Sequence, residues 1–252
     1  MIGLVSLLKE IQGKPKAIFM AGPAGSGKSF IASKLIPSNF NSINSDDTYE
    51  ELLKATGLGL KQKDFTPDQL SQAAKLQSVA RKETDKKYQE LTKNLQNIII
   101  DGTGAATKPL LKKKEELEAL GYDTFMVMTF VPVLVSLERN IQRDRSLMPS
   151  IVLRTWRDIN KNIDTYKKTF GDNISIVNTN TDKDLSVFSK DKLKKYFEQS
   201  KAVGKPKTPE EQQKSQAERE QLVSDIEQMS IKLPTTDTLE QSKTKITNFI
   251  SK

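Results

Sequence analysis

The chain has 252 residues, with 40 Lys and Arg against 32 Asp and Glu (net charge +8), no histidine and no cysteine. Those two zeros exclude a disulfide framework, a thiolate nucleophile, a Cys/His zinc site and a Ser-His-Asp triad. Any catalysis has to run on carboxylates, Lys, Arg, hydroxyls, backbone amides and an oxygen-bound metal.

A short amphipathic helix is predicted over residues 4–11, followed by a buried strand over Lys16–Ala21 and, after a Gly-rich turn, a helix over 28–36. A short strand at 41–44 runs into Ser45, Asp46 and Asp47, and helices follow over 49–55 and 67–95. Ile98–Asp101 is a third strand, 109–120 a helix stopped by Gly121, and 123–131 a long buried strand. Helices are predicted over 134–145 and 151–170, divided by Met148 and Pro149; then come a strand over 174–178 and a helix near 182–197. Near-continuous apolar strands alternating with helices indicate an α/β fold with a parallel sheet of about five strands covered on both faces. The site of such a sheet lies at the carboxyl ends of its strands, where the Gly-rich turn, Asp46, Asp47 and Asp101 should converge.

Residues 200–208 read as a Lys-rich linker with Gly and Pro, and 209–252 as a polar tail with helices over 210–231 and 236–250. The expected organisation is therefore a domain over 1–199, a linker and a helical C-terminal appendage, the last a candidate for holding a protein partner. Residues 1–199 carry +7 of the charge, which suggests phosphate-bearing or polyanionic partners. Five of the seven arginines (Arg139, Arg143, Arg145, Arg154, Arg157) lie within 19 residues of sequence. Lysine suffices for solubility, whereas bidentate clamping of phosphate calls for arginine. The longest apolar stretch, 124–137, holds Pro132 and is too short for a bilayer. With no basic leader at the N-terminus, a cytoplasmic protein with no membrane partner is expected, in the host cytoplasm if the gene is a phage's.

Gly22-Pro-Ala24-Gly25-Ser26-Gly27-Lys28-Ser29 fits G-x-x-x-x-G-K-[ST] between a strand and a helix. Such a P-loop cradles phosphates on its backbone amides, while Lys28 reaches the β/γ oxygens of ATP and Ser29 ligates Mg²⁺. Asp46 and Asp47 suit either a helix N-cap or, for one of them, a general base. Asp101, ending an apolar strand, stands where a carboxylate can hold a Mg²⁺-bound water. The Asp101–Gly104 stretch also fits D-x-x-G, but no N-K-x-D follows the last strand, which disfavours a GTPase. Arg139 and Arg143, four apart, fit one face of a helix, and with Arg145 they read as a lid that supplies an arginine to the transferring phosphoryl group. Trp156 reads as core.

Together, Gly22–Ser29, Asn44-Ser-Asp-Asp47, Ile98–Thr103, Arg139-Asn140-x-x-Arg143 and Met148–Arg154 resemble the kinase domain of phage-type polynucleotide 5′-kinases and the related zeta-toxin kinases. The resemblance covers about residues 16–180. It implies that Asp47 activates the acceptor hydroxyl, that Arg143 is the lid arginine on the ATP phosphates, and that Asp101 assists on the substrate side, where Asp46 and Thr103 also lie. The expected activity is Mg²⁺·ATP-dependent phosphorylation of a hydroxyl, with a nucleic acid (DNA or RNA) as first choice of acceptor. Glu50 stands where the polynucleotide kinases carry a substrate-side arginine. It favours the alternative, a zeta-toxin-like kinase of a small alcohol such as a nucleotide sugar or nucleoside. A third alternative is a non-catalytic ATP-binding switch.

Overall fold

The computed structural model describes residues 13–60, 65–180, 189–199, 208–231 and 233–252. The helix expected over 4–11, the start of the one expected from 182, and residues 200–207 of the expected linker lie outside the described residues.

Five parallel strands, β1 (Lys16–Ala21), β2 (Asn41–Ile43), β3 (Ile98–Asp101), β4 (Asp123–Phe130) and β5 (Ile174–Asn178), form one sheet in the order β2-β3-β1-β4-β5. At the centre, Phe19 of β1 lies opposite Ile100 of β3 and Met126 of β4. Successive side chains of a strand point to opposite faces. Ala17, Phe19, Ala21, Met126 and Met128 accordingly enter one apolar layer, and Ile18, Met20, Phe125 and Val127 the other.

The first layer is filled by α4 (Thr107–Ala119), α5 (Val133–Ile141) and α6 (Pro149–Phe170), with Leu193 of α7 (Lys190–Gln199). Trp156 of α6 is a core residue, its indole Nε1–H donating to the Val131 carbonyl at 2.8 Å. The opposite layer is filled by α1 (Lys28–Leu35) through Ile31 and Leu35. Helices α2 (Ser45–Ala55) and α3 (Pro67–Lys93) make a smaller cluster of their own around Tyr49, Leu53, Leu58, Ala73 and Ala80.

Two further helices close the fold. Helix α8 (Pro209–Ile231) contributes Leu222, Val223 and Ile226 to the first layer. Helix α9 (Leu239–Ile250) contributes Ile246 and Phe249 to the second, with Phe249 5.0 Å from the Phe125 ring. The chain entering α9 bonds to β5: Asp237 N–H donates to the Ile176 carbonyl at 2.7 Å, and its carboxylate accepts from Ser175 Oγ at 2.7 Å.

Several helix boundaries differ from the sequence expectation, three of them with a visible cause. Helix α2 starts at Ser45 because Asn44 is its cap, Oδ1 accepting from the Asp46 N–H at 2.9 Å. Neither Asp46 nor Asp47 is the cap; both stand in the first turn, where the positive end of the helix dipole favours a carboxylate. Helix α4 starts at Thr107, ahead of Pro109, which is tolerated in a first turn that has no i−4 partner for its nitrogen. Helix α5 stops at Ile141 and not at 145. The buried Asn140 side chain donates to the Leu147 carbonyl (2.8 Å) and accepts from the Leu147 N–H (3.1 Å), so the chain turns off the helix to meet it. Arg143 and Arg145 therefore lie in the turn between α5 and α6, and Arg139 and Arg143 do not share a helical face.

Candidate active site

The loop from Gly22 to Ser29 connects β1 to α1, and its conformation depends on close approach. A Cβ on Gly22 would collide with the hydroxyls of Thr129 and Ser26, and one on Gly25 (φ +77°) with the Ser136 carbonyl. Side chains from β4, α5 and the end of β5 grip the loop from behind. Ser26 Oγ and Thr129 Oγ1 are 2.7 Å apart, Ser136 Oγ donates to the Ala24 carbonyl at 2.6 Å, and Thr179 Oγ1 donates to the Ser26 carbonyl at 2.7 Å. The Gly22 and Ser26 N–H groups bond to the Thr103 and Pro23 carbonyls; the front of the loop faces the α1 N-terminus, whose partial positive charge favours an anion. Lys28 Nζ donates to the Gly22 carbonyl at 2.7 Å, folded over the loop. Burial pushes the Lys28 ammonium down from its ordinary pKa and Arg143 adds to this, while Asp101 and Asp46 oppose it.

A cleft of about 360 Å³ opens in front of the loop. Lys28 and Ser29 line it on one side, Asp46, Asp47, Glu50, Asp101 and Thr103 on another, and Arg139, Arg143 and Arg145 face them. The residues expected at the site, Gly22 excepted, thus line one cavity, together with Phe30, Asn44, Leu147, Ile151 and Thr155, which sequence reasoning did not assign to it. Of these, Asn44 and Ile151 stood within quoted motifs, without a role of their own. Phe30, Leu147 and Thr155 carry no signature in a single sequence.

The acidic side is wired through Asn44, which caps α2 and also donates from Nδ2 to Asp101 Oδ2 at 3.1 Å. Asp101 Oδ1 is buried with no hydrogen-bond partner. Desolvation by burial raises the Asp101 pKa above the usual carboxylate range, Lys28 pulling it down and Asp47 and Asp46 pushing it up. Asp47 is likewise raised, by burial first and then by the Asp46 charge; Asn44 counteracts, and Glu50 and Glu51 add to the rise. Thr103 is exposed at the cleft and also supports the loop: its carbonyl accepts from the Gly22 N–H at 2.9 Å and its Oγ1 from the Ala105 N–H at 3.3 Å.

The three expected lid arginines occupy different places. Arg139 is tied to the loop after β5, donating to Thr179 Oγ1 (3.3 Å) and to the Thr179 carbonyl (3.2 Å). Arg143 is exposed at the cleft, and its side chain has no hydrogen-bond partner among the described residues. Arg145 crosses to α2, with Nη2 2.9 Å from Asp46 Oδ1. Arg154 and Arg157 face α8, near Glu218 (3.8 Å) and Asp225 (3.7 Å), and do not line the cleft.

No group of three or more acidic side chains able to hold a metal occurs among the described residues. Mg²⁺, however, needs only one or two protein oxygens when phosphate oxygens and waters complete its shell. The Ser29 hydroxyl and the partnerless Asp101 Oδ1 fit that requirement. Among the described residues, no helix is long and apolar enough to cross a membrane.

The sequence profile of the zeta toxin family matches residues 6–202. No curated protein matches the chain. Among solved structures, one from the PezAT chromosomal toxin-antitoxin system of Streptococcus pneumoniae aligns with a TM-score of 0.50 and 18% identity, over 86% of this chain and 88% of that one. The AvrRxo1-ORF1:AvrRxo1-ORF2 structure with sulphate ions aligns with a TM-score of 0.55 and 16% identity, over 89% and 83%. The same pair with ATP gives 0.55 and 13% identity, over 95% and 82%. At these identities the likeness is one of fold. The profile match spans more than three quarters of the sequence, and the five-stranded parallel sheet with its P-loop is the kinase fold of that group: the chain belongs to the zeta toxin family.

Proposed function

We propose that this protein is a Mg²⁺·ATP-dependent phosphotransferase that moves the γ-phosphoryl group of ATP onto a hydroxyl of a small alcohol, a nucleotide sugar or a nucleoside. The observation that carries this is the meeting, in one 360 Å³ cleft, of a P-loop lysine, a partnerless cleft arginine and two carboxylates with raised pKa. A neighbour of the same fold bound to ATP, and the family assignment, support the donor.

In this reading the loop amides and Lys28 hold the β- and γ-phosphates, Lys28 leaving the Gly22 carbonyl to do so. Asp47 takes the proton of the acceptor hydroxyl as its oxygen bonds to the γ-phosphorus, and the bond from that phosphorus to the β–γ bridging oxygen breaks to release ADP. Arg143 meets the charge developing on the transferred group. Mg²⁺, held by Ser29 and through water by Asp101, would neutralise charge on the same oxygens. The raised Asp47 keeps the base close to the pKa at which it can accept a proton in the transition state.

Four carboxylates on the acceptor side, Asp46, Asp47, Glu50 and Asp101, favour a small acceptor with few or no phosphates over a polyanion, which they would repel along its length. The +7 charge of residues 1–199 favours the second reading, a 5′-hydroxyl nucleic acid. A protein partner bound through the C-terminal segment would meet the solvent-facing sides of α8 and α9, because their apolar faces are already seated on the body. Incubation with γ-labelled ATP and separate nucleoside, nucleotide-sugar and 5′-hydroxyl oligonucleotide acceptors decides among the readings. Label in a nucleoside or nucleotide sugar is expected. Label in the oligonucleotide alone would establish the second reading, and binding of ATP without transfer to any acceptor would point to a switch.

A further inference from the structure

Arg145 is placed unlike a phosphate-binding arginine. It is two residues beyond Arg143, yet its side chain is 12% exposed and engages the first turn of α2. There it makes three contacts: Nη2 to Asp46 Oδ1 at 2.9 Å, Nη1 to the Asp46 main-chain carbonyl at 3.4 Å, and its guanidinium carbon 5.2 Å from the centre of the buried Tyr49 ring. Its Nε is buried and has no partner. The segment that carries it is itself anchored, because Asn140 holds Leu147 from both sides. One side chain therefore ties the α5–α6 turn, which carries Arg143, to the helical turn that carries Asp47.

A surface ion pair contributes little by itself. This one differs because the arginine is mostly desolvated, grips both the side chain and the backbone of one residue, and lies over an aromatic ring anchored in the α2–α3 cluster. The planar guanidinium can make all three contacts at once, which an ammonium cannot. Holding the Asp46 carbonyl fixes the peptide that joins Asp46 to Asp47. Catalytic geometry is sensitive to displacements on the scale of an ångström.

We propose that Arg145 is a positioning residue of the acceptor half of the cleft: by clasping Asp46 and Tyr49 it sets where Asp47 stands and holds the α5–α6 turn across the acceptor, leaving the nucleotide phosphates to Arg143. The assignment rests on the phosphotransferase reading for its kinetic consequence, though not for the clasp itself.

The test compares Arg145→Ala, Arg145→Lys, Asp46→Ala and the Arg145→Ala/Asp46→Ala pair in the full chain. Asp46 is 64% exposed, so its variant keeps the comparison usable should Arg145→Ala fold poorly. Hydrogen exchange without any ligand is measured over residues 45–49 and 142–148. Each single variant is expected to accelerate exchange in both segments, and the double variant no further. Binding of a fluorescent ATP analogue is expected to change by less than about twofold. Transfer to whichever panel acceptor takes label is expected to fall about tenfold to a hundredfold through kcat and acceptor KM, with the KM for ATP unmoved. Arg145→Lys, keeping the charge and losing the fork, is expected to recover only a minor part. Unchanged exchange in both segments overturns the clasp. A tenfold loss of ATP-analogue affinity with acceptor kinetics intact overturns the assignment to the acceptor half. If the wild type labels no acceptor, the phosphotransferase reading fails while the exchange measurement still decides the clasp.

Discussion

Asp101 sits in the cleft with one oxygen accepting from Asn44 and the other buried without a partner. Burial holds its pKa above the value it has in the unfolded chain. The native state therefore retains a proton where the unfolded state has already lost it, and stability falls as pH rises from the ordinary carboxylate range through the raised native pKa. Asp101→Asn removes the charge at constant size and is expected to raise the melting temperature at pH 7, with the gain shrinking as pH falls through the raised native pKa and gone below about pH 4, where the carboxyl is protonated in both states. Differential scanning fluorimetry across pH reads this directly. A lower melting temperature at pH 7 would mean that attraction to Lys28 outweighs desolvation. Asp47 gives the kinetic counterpart. As a base it works only when deprotonated, so the acid limb of kcat/KM lies above the ordinary carboxylate range. Glu50→Gln removes a charge that raises Asp47, and is expected to move that limb to lower pH; a shift to higher pH would contradict the stated electrostatics. The P-loop and the carboxylates at the strand ends were legible in the sequence because spacing and flanking elements mark them. The roles of Asn44, Ser136 and Thr179 were not, because their partners lie 57, 112 and 153 residues away.

Among the elements, the strands were the most legible, since a strand of a parallel sheet buried on both faces reads as a continuous apolar run. Helix α5 was the least. Its pattern runs past Ile141, but the side chain of Asn140 captures Leu147 and bends the chain into the turn that carries the arginines. Nothing in local propensity announces a buried asparagine that forms such a bridge. Asn140→Ala leaves the Leu147 N–H and carbonyl without their partner and is expected to cost about 1–3 kcal/mol. It should also speed hydrogen exchange in 142–148 and weaken ATP binding by freeing Arg143. Denaturant titration together with exchange checks this, and unchanged exchange in that turn would show that the bridge does not hold it. Asp46 and Asp47 were expected as cap or base; the cap is Asn44, two residues before Asp46, which leaves Asp46 to pair with Arg145 and Asp47 to face the cleft.

Over the whole molecule, the polar composition of residues 209–252 concealed how much of the core they supply. The buried residues Leu222, Val223, Ile226, Ile246 and Phe249 are few and widely spaced among charged and amide side chains, yet they reach both faces of the sheet. Phe249 also covers Lys16, whose ammonium is buried against Asp123 at 2.7 Å and lies 5.2 Å from the Phe249 ring centre. Phe249→Ala is expected to destabilise the entire chain by about 3–5 kcal/mol, read as a lower urea midpoint with an undivided transition. A midpoint equal to wild type would make α9 a detachable appendage. The same body presents, before the P-loop, a cleft in which four carboxylates meet Lys28 and three arginines, and what Asp47 does there is decisive. The most direct measurement is single-turnover transfer of labelled phosphate by Asp47→Asn, with ATP affinity determined on the same preparation. The account predicts ATP binding close to wild type and transfer reduced about 10²–10⁴-fold. Full transfer by Asp47→Asn would contradict it.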